Sequence, residues 1–205
     1  MTKLILLRHC QAEGNLKRFF QGKIDSDITS QGRAQIGATA ELLAAEPIDV
    51  FYTSSLTRAQ KSTEGINVYH EMPVITDDRL AEIDAGKWEG KSLIDIEKEY
   101  PEQFDNWHHH PEIFAAPDGE SMTQVYDRVS SALDDIIRDN HNKTVCIVSH
   151  GCAIKCMMCY LHGWGVENIA NVPLGTNMSV NVVKCENNKK PEIIMENYTD
   201  HLEMI

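Results

Sequence analysis

The chain has 205 residues, enough for one domain with a full core, and 42% of them are hydrophobic. Its net charge of −12 argues against DNA or RNA as a partner, since no basic stripe could neutralise a line of phosphates, but a small anion needs only a local positive pocket. The apolar opening KLILL is too short for a signal-peptide core and no stretch reaches membrane-spanning length, so a soluble cytoplasmic protein is expected.

In chain order, residues 3–7 read as a short buried strand, and Arg8 and His9 follow where it stops. Burying either group without a partner is costly, so the pair is aimed at something. Thr29 or Ser30 can cap the next helix, whose apolar face is Ile36, Ala40 and Leu43. IDVFYTS over 48–54 is a second buried strand, after which Ser55 can cap a helix carrying Arg58. A short apolar run, Val74 and Ile75, precedes DDRLAEIDAGKWEG, which contains Glu82. Ser92 with Asp95 makes a capping box for the helix before Pro101. Val125, Val129, Leu133 and Ile136 mark the longest amphipathic helix. KTVCIVS over 143–149 is the third buried strand, followed by a nearly all-apolar helix over 151–162. NMSVNVVKC and PEIIMENY, separated by ENNKK, suggest an antiparallel hairpin.

Alternating strands and helices predict one domain over 1–205 of the α/β class, a three-layer α/β/α sandwich with a mainly parallel central sheet. Ligands of such sheets sit at the carboxyl ends of the strands. The three buried strands end in Arg8-His9, in Ser54-Ser55 with Arg58 beyond, and in Ser149-His150, so two histidines and two arginines share one edge. Arginine forks match a phosphoryl group. One imidazole can attack through an unprotonated nitrogen while the other donates to phosphoryl oxygens. The helix start after His150-Gly151 adds backbone donors, and Glu82 is the best candidate to protonate a leaving alcohol.

Six elements then stand in one order along nearly the whole chain. They are Arg8-His9-Cys10 with Glu13, Asn15, Gln21-Gly22, Asp27 and the turn from Thr29 to Gly32; Ser54-Ser55-Leu56-Thr57-Arg58-Ala59; Leu80-Ala81-Glu82; Gly86-Lys87-Trp88-Glu89-Gly90; Gly119-Glu120-Ser121; and Ser149-His150-Gly151. In this order they resemble the histidine phosphatase superfamily, in its phosphoglycerate-mutase-like branch. The resemblance implies a phosphohistidine mechanism without metal or cofactor on a small phosphorylated substrate. His9 would attack phosphorus; Arg8, Arg58 and His150 would hold the equatorial oxygens; Asn15, Gln21, Gly22 and Gly151 would complete phosphate and substrate binding. Glu82 would act as acid and then as base. The stretch from Glu82 to Trp88 lacks the longer segment of the mutases, which favours a phosphatase over a mutase. The residues over the pocket would include Lys17, Arg18, Phe19, Phe20 and Trp107.

Cys10 departs from the family glycine. It can be read as a redox-sensitive thiol, as a sign of lost catalysis in a mere phospho-ligand binder, or as a small side chain turned away from the pocket, and the last is preferred. The six cysteines are expected to be reduced. Cys152, Cys156, Cys159 and His162 cannot converge on one ion, because the first and last are ~15 Å apart along a helix axis. His108-His109-His110 is expected to be solvated rather than metal-binding.

Overall fold

A computed structural model describes residues 1–186, 189–203 and 205. In chain order the strands are β1 (Thr2–Arg8), β2 (Val50–Thr53), β3 (Val74–Thr76), β4 (Thr144–Ser149), β5 (Val180–Cys185) and β6 (Glu192–Tyr198). The helices are α1 (Glu13–Lys17), α2 (Ser30–Leu43), α3 (Thr57–Asn67), α4 (Leu93–Glu99), α5 (Pro101–His109), α6 (Met122–Asp139) and α7 (Gly151–Leu161). The strands form one sheet in the order β3-β2-β4-β1-β5-β6. The first four in that order run parallel, and β5 and β6 join antiparallel.

Period-2 alternation explains why β1 reads as a continuous apolar run. Leu4 and Leu6 pack with Val145, Ile147 and Tyr52 against one helical layer that contains α6 and α7. Ile5 and Leu7 pack with Cys146, Val148 and Phe51 against the other, formed by α2 and α3. Each fully buried Leu or Ile contributes about 1.5–3 kcal/mol, so the two cores hold the strand ends firmly in place. The expected three-layer α/β/α sandwich is the observed architecture.

Thr29 caps α2, accepting from Gly32 N at 2.9 Å. Ser92 caps α4, but its hydroxyl donates to Asp95 Oδ2, so only half of the expected capping box forms. Ser121 and Gln124 form a full capping box on α6 that sequence reading missed. Val74–Thr76, read only as an apolar run, is an edge strand, with Val74 and Ile75 45% and 43% exposed. The expected hairpin is β5–β6; residues 187 and 188, in the sequence between these strands, lie outside the described residues. No helix among the described residues is long and apolar enough to cross a membrane.

Candidate active site

Arg8 of β1 lies in register with Ser149 of β4, and Thr53 of β2 with Val148, so the chain leaves three strands at one level. His9 N donates to Ser149 O at 2.8 Å, continuing the ladder one step beyond β1. The His9 side chain is 2% exposed. Its Nδ1 lies 2.6 Å from Cys10 O, and since a carbonyl can only accept, Nδ1 carries the proton. Arg58 Nε–H donates to His9 Nε2 at 3.2 Å, which again requires a lone pair on Nε2. Burial first, then the charges of Arg58 and Arg8, push His9 well below the ordinary imidazole value. The ring is therefore neutral, with its nucleophilic nitrogen facing a guanidinium.

Arg58 is held by backbone. Its Nη2 donates to Gly22 O at 2.7 Å and its Nη1 to Ile24 O at 2.9 Å, while Gly22 takes φ 52°, a conformation open to glycine at little cost. Ser55 does not cap α3. The N-cap is Leu56, and Asp25, from the same loop as Gly22, reaches across to accept from Thr57 N and Thr57 Oγ1, both at 2.8 Å. Arg8 Nη1 donates to Gly175 O at 2.6 Å, and Arg8 Nε is buried without a partner among the described residues. A Cβ on Gly151 would come within 3.4 Å of that guanidinium and 3.1 Å of Leu174 Cδ1, so glycine lets Arg8 lie against the start of α7. Desolvation lowers both arginines from their ordinary value, and the charge of Glu82 opposes it.

The Glu82 carboxylate faces the same helix start. It accepts from Cys152 N at 3.1 Å, from Ala153 N at 3.3 Å and from its neighbour Ile83 N at 3.0 Å, which supplies the cap that His150 does not. Its segment is clamped by Arg128, whose Nη1 donates to Arg79 O and Ala81 O and whose Nη2 donates to Glu82 O. Glu120 completes the clamp by pairing with Arg128 at 2.8 Å and accepting from Asp84 N. Sequence reading gave Arg128 no role; its place on the inner face of α6, one residue before the apolar Val129, was the available signal.

A cleft of about 250 Å³ is lined by Arg8, His9, Asn15, Gln21, Gly22, Arg58, Glu82 and Gly151, with Phe19, Phe20, Leu93, Trp107, Cys152 and Leu174 around its upper wall. His150 is not part of that wall. It is fully buried, its ring centroid 5.0 Å from that of His9, with Nε2 against Ser54 Oγ at 2.8 Å. Ser54 Oγ already accepts from Leu56 N, so its own proton can go to His150 Nε2. In the tautomer that takes this proton Nδ1 carries the N–H, and Nδ1 has no partner among the described residues. Burial, with the charges of Arg58, His9 and Arg8, lowers His150 well below the imidazole norm. Lys17 and Arg18 do not line the cleft; Lys17 pairs with Glu13 instead. Gly175 and Asn177, which donates through Nδ2 to His9 O at 2.9 Å, were missed as site residues.

Cys10 is fully buried, faces Gly32 of α2 away from the cleft, and burial pushes its thiol up rather than down. A reactive thiolate is not what this environment makes. Cys152 and Cys156 pack on Met122 Sδ, and His162 stacks on Trp164. Among the described residues no group of three or more His, Cys, Asp or Glu side chains could hold a metal ion.

A neutral imidazole with a fixed lone pair, two buried guanidinium groups, two unpartnered buried nitrogens and a carboxylate across the cleft make a pocket suited to a small phosphoryl group. The sequence profile of the histidine phosphatase superfamily (branch 1) matches residues 4–198, and the chain belongs to that superfamily. It is 34% identical over 202 residues to phosphoserine phosphatase 1 of Hydrogenobacter thermophilus, covering 98% of this chain and 95% of that one. Bacillus stearothermophilus YhfR superposes with a TM-score of 0.94 at 29% identity, over 99% of this chain and 100% of that one. A mutant phosphoserine phosphatase of Entamoeba histolytica in complex with phosphoserine gives a TM-score of 0.86 at 26% identity, over 98% and 100% of the two chains. The chain is a histidine phosphatase, a phosphomonoester hydrolase for small phosphorylated metabolites.

Proposed function

We propose that the reaction runs through a phosphohistidine on His9 Nε2. The observation that carries this is the double lock on the ring: Nδ1–H is held by Cys10 O, and Nε2 faces the Arg58 donor. In the first half-reaction Nε2 bonds to phosphorus, the bond to the leaving oxygen breaks, and Glu82 gives that oxygen its proton. Arg8 and Arg58 stabilise the equatorial oxygens, His150 joins them from beneath the cleft floor in the tautomer protonated on Nδ1, and Asn15, Gln21 and the backbone at Gly22 and Gly151 shape the phosphate seat. In the second, Glu82 takes a proton from water, whose oxygen bonds to phosphorus as the P–N bond breaks and Nε2 regains its lone pair. A binder would need the arginines but not a carboxylate poised over the phosphate, which weighs against a non-catalytic role. The arginines supply the positive charge, so the activity is metal-independent. The chain acts as one catalytic domain, and its six buried free cysteines suit the reducing cytoplasm.

Incubation with labelled substrate followed by acid quench tests the nucleophile. Wild type should carry an acid-labile, alkali-stable label and turn over in EDTA, while His9→Ala should fold, bind no label and turn over nothing. A label surviving in His9→Ala would remove His9 from the role, and full loss of activity in EDTA restored by Mg²⁺ would overturn the metal-free mechanism.

A further inference from the structure

Cys152 and Cys156 stand one turn apart on one face of α7, and Met122 opens α6 against them. Both thiols converge on the one thioether: Cys152 Sγ lies 3.5 Å and Cys156 Sγ 3.6 Å from Met122 Sδ. The capping box of Ser121 and Gln124 fixes the first turn of α6 and with it the thioether. Cys159, on the next turn, faces away toward Gly165 O at 3.3 Å. All three converging side chains are buried, but a cavity of about 180 Å³ reaches two of them, being lined by Met122 and Cys152 together with Trp107, Lys155 and Leu174. The cluster therefore has an entry path, and phosphoryl transfer uses none of its sulfurs. An ion bound to sulfur sits ~2.3 Å from each ligand, which sets the sulfurs of a trigonal site ~4 Å apart. Opening the two contacts by about half an ångström makes room for one. Zinc would want a fourth ligand, usually nitrogen or thiolate, whereas two thiolates and a thioether suit a soft monovalent ion.

We propose that Met122, Cys152 and Cys156 form a three-sulfur site for one copper(I) ion, and that its occupancy weakens substrate binding in the neighbouring cleft. On binding, two S–H bonds break and two Cu–S bonds form, with a third from the thioether lone pair. Both protons go to water, and copper stays copper(I). Two thiolates and one monovalent cation leave a single negative charge, which Lys155 on the wall of the same cavity partly compensates. Cys152 also lines the active cleft, and its N–H is held by Glu82 Oε1 at 3.1 Å. The new charge thus stands beside the seat of a phosphate dianion and opposes its arrival. Uptake of the ion is independent of the phosphatase reading; only the effect on turnover rests on it.

Anaerobic titration with copper(I) against bicinchoninate, a coloured chelator, tests the site. Wild type should take up one ion per chain and gain the ultraviolet absorption of copper–thiolate bonds. Cys156→Ala should weaken uptake by about a hundredfold, and Met122→Leu, which keeps the bulk, by about tenfold. Silver(I) should displace the copper, and zinc at the same concentration should not. Neither Met122 nor Cys156 lines the cleft, so without copper both variants should hydrolyse p-nitrophenyl phosphate as wild type does. One equivalent of copper(I) should raise KM for that ester by about tenfold in wild type and much less in the variants. No uptake, or uptake that both variants leave unchanged, overturns the site, and Met122→Leu decides alone if Cys156→Ala fails to fold. Displacement by zinc overturns the choice of a soft ion. Uptake that the variants lose, with KM unmoved in loaded wild type, overturns the link to the cleft. A wild type that takes up copper but hydrolyses no phosphomonoester overturns the phosphatase reading and leaves the site standing.

Discussion

At the floor of the cleft His9 and Arg58 are 2% and 1% exposed, and their polar contacts run to backbone carbonyls and to each other. At the rim Leu93 and Leu174 are 43% and 53% exposed, and with Phe19, Phe20 and Trp107 they come from loops and short helices and offer mostly carbon. The floor is set by the sheet register and cannot adjust without breaking the ladder. The rim touches only what lies beyond the phosphorus. Substitutions in the floor should therefore change rate for every phosphomonoester, and substitutions in the rim should change which one is preferred.

Glu82 stands between the two regions and offers the largest effect that depends on substrate. In the proposed mechanism Glu82 hands a proton to the leaving oxygen as the phosphohistidine forms. An alkoxide is a poor leaving group and needs the proton; p-nitrophenolate does not. Glu82→Gln should slow single-turnover phosphorylation by alkyl phosphates on the order of 10²–10⁴-fold more than by p-nitrophenyl phosphate. Single turnover is needed because loss of the base slows hydrolysis for both. Equal losses would take Glu82 out of the acid role and move the search to Asp84 or Glu89.

The floor should also show in stability against pH. Burial and the arginines hold His9 and His150 below the ordinary value, so both stay neutral in the folded protein while the unfolded chain titrates near pH ~6.5. Below that pH the unfolded state binds more protons. Stability is thus retained above ~6.5 and lost on acidification, at up to about 1.4 kcal/mol per pH unit for each histidine, until the folded-state value is reached. Urea unfolding between pH ~6 and ~5 should show a shallower slope in His9→Gln than in wild type. Equal slopes would mean that His9 takes up a proton in the folded state.

Trp107→Ala tests the rim. Trp107 packs edge-on against Phe20 at 5.1 Å and against Phe114 at 4.9 Å, and it lines both the cleft and the cavity of Lys155. Its removal should raise KM for carbon-rich substrates by about tenfold, the value of some 1.4 kcal/mol of lost contact, with a much smaller change in kcat. A fall in kcat that is the same for all substrates would show that the rim also holds the floor.

The contrast explains what could be read from the sequence. The ends of β1, β2 and β4 were legible because both faces of these strands are covered and each apolar run ends where the chain turns polar. Gly175 and Asn177 were not, because they reach the site through β5, whose antiparallel pairing brings its start beside the end of β1. Asp25 caps α3 from 32 residues away, so no local pattern announced it, and Ser55 stood where a local cap would be sought. His150 was legible as a strand-end residue, but its depth beneath the cleft depends on Ser54 across the sheet. The rim depends on how α4 and α5 fold back over the edge, which their weak apolar patterns do not encode.

Cys10 gives the smallest effect and the sharpest check on where the floor ends. Glycine at this turn would add backbone freedom, which is a reason for Cys10→Gly to raise activity; the geometry removes that reason. Cys10 does not take a positive φ, and its N–H is held by Ser62 Oγ at 3.0 Å. Its side chain packs in the layer of Ile28 and Ile36, on the far side of the backbone from the cleft. Cys10→Gly should leave kcat and KM within about twofold, since the carbonyl that locks His9 belongs to residue 10 whatever its side chain. It should cost about 1–2 kcal/mol in stability, from a lost buried side chain and the entropy of a new glycine, read as a lower urea midpoint with unchanged m. Burial that raises the thiol also predicts that peroxide leaves wild-type activity intact. Inactivation by peroxide that Cys10→Gly escapes would show that the turn opens far enough to expose the thiol, and the rigid floor on which the nucleophile depends would have to be given up.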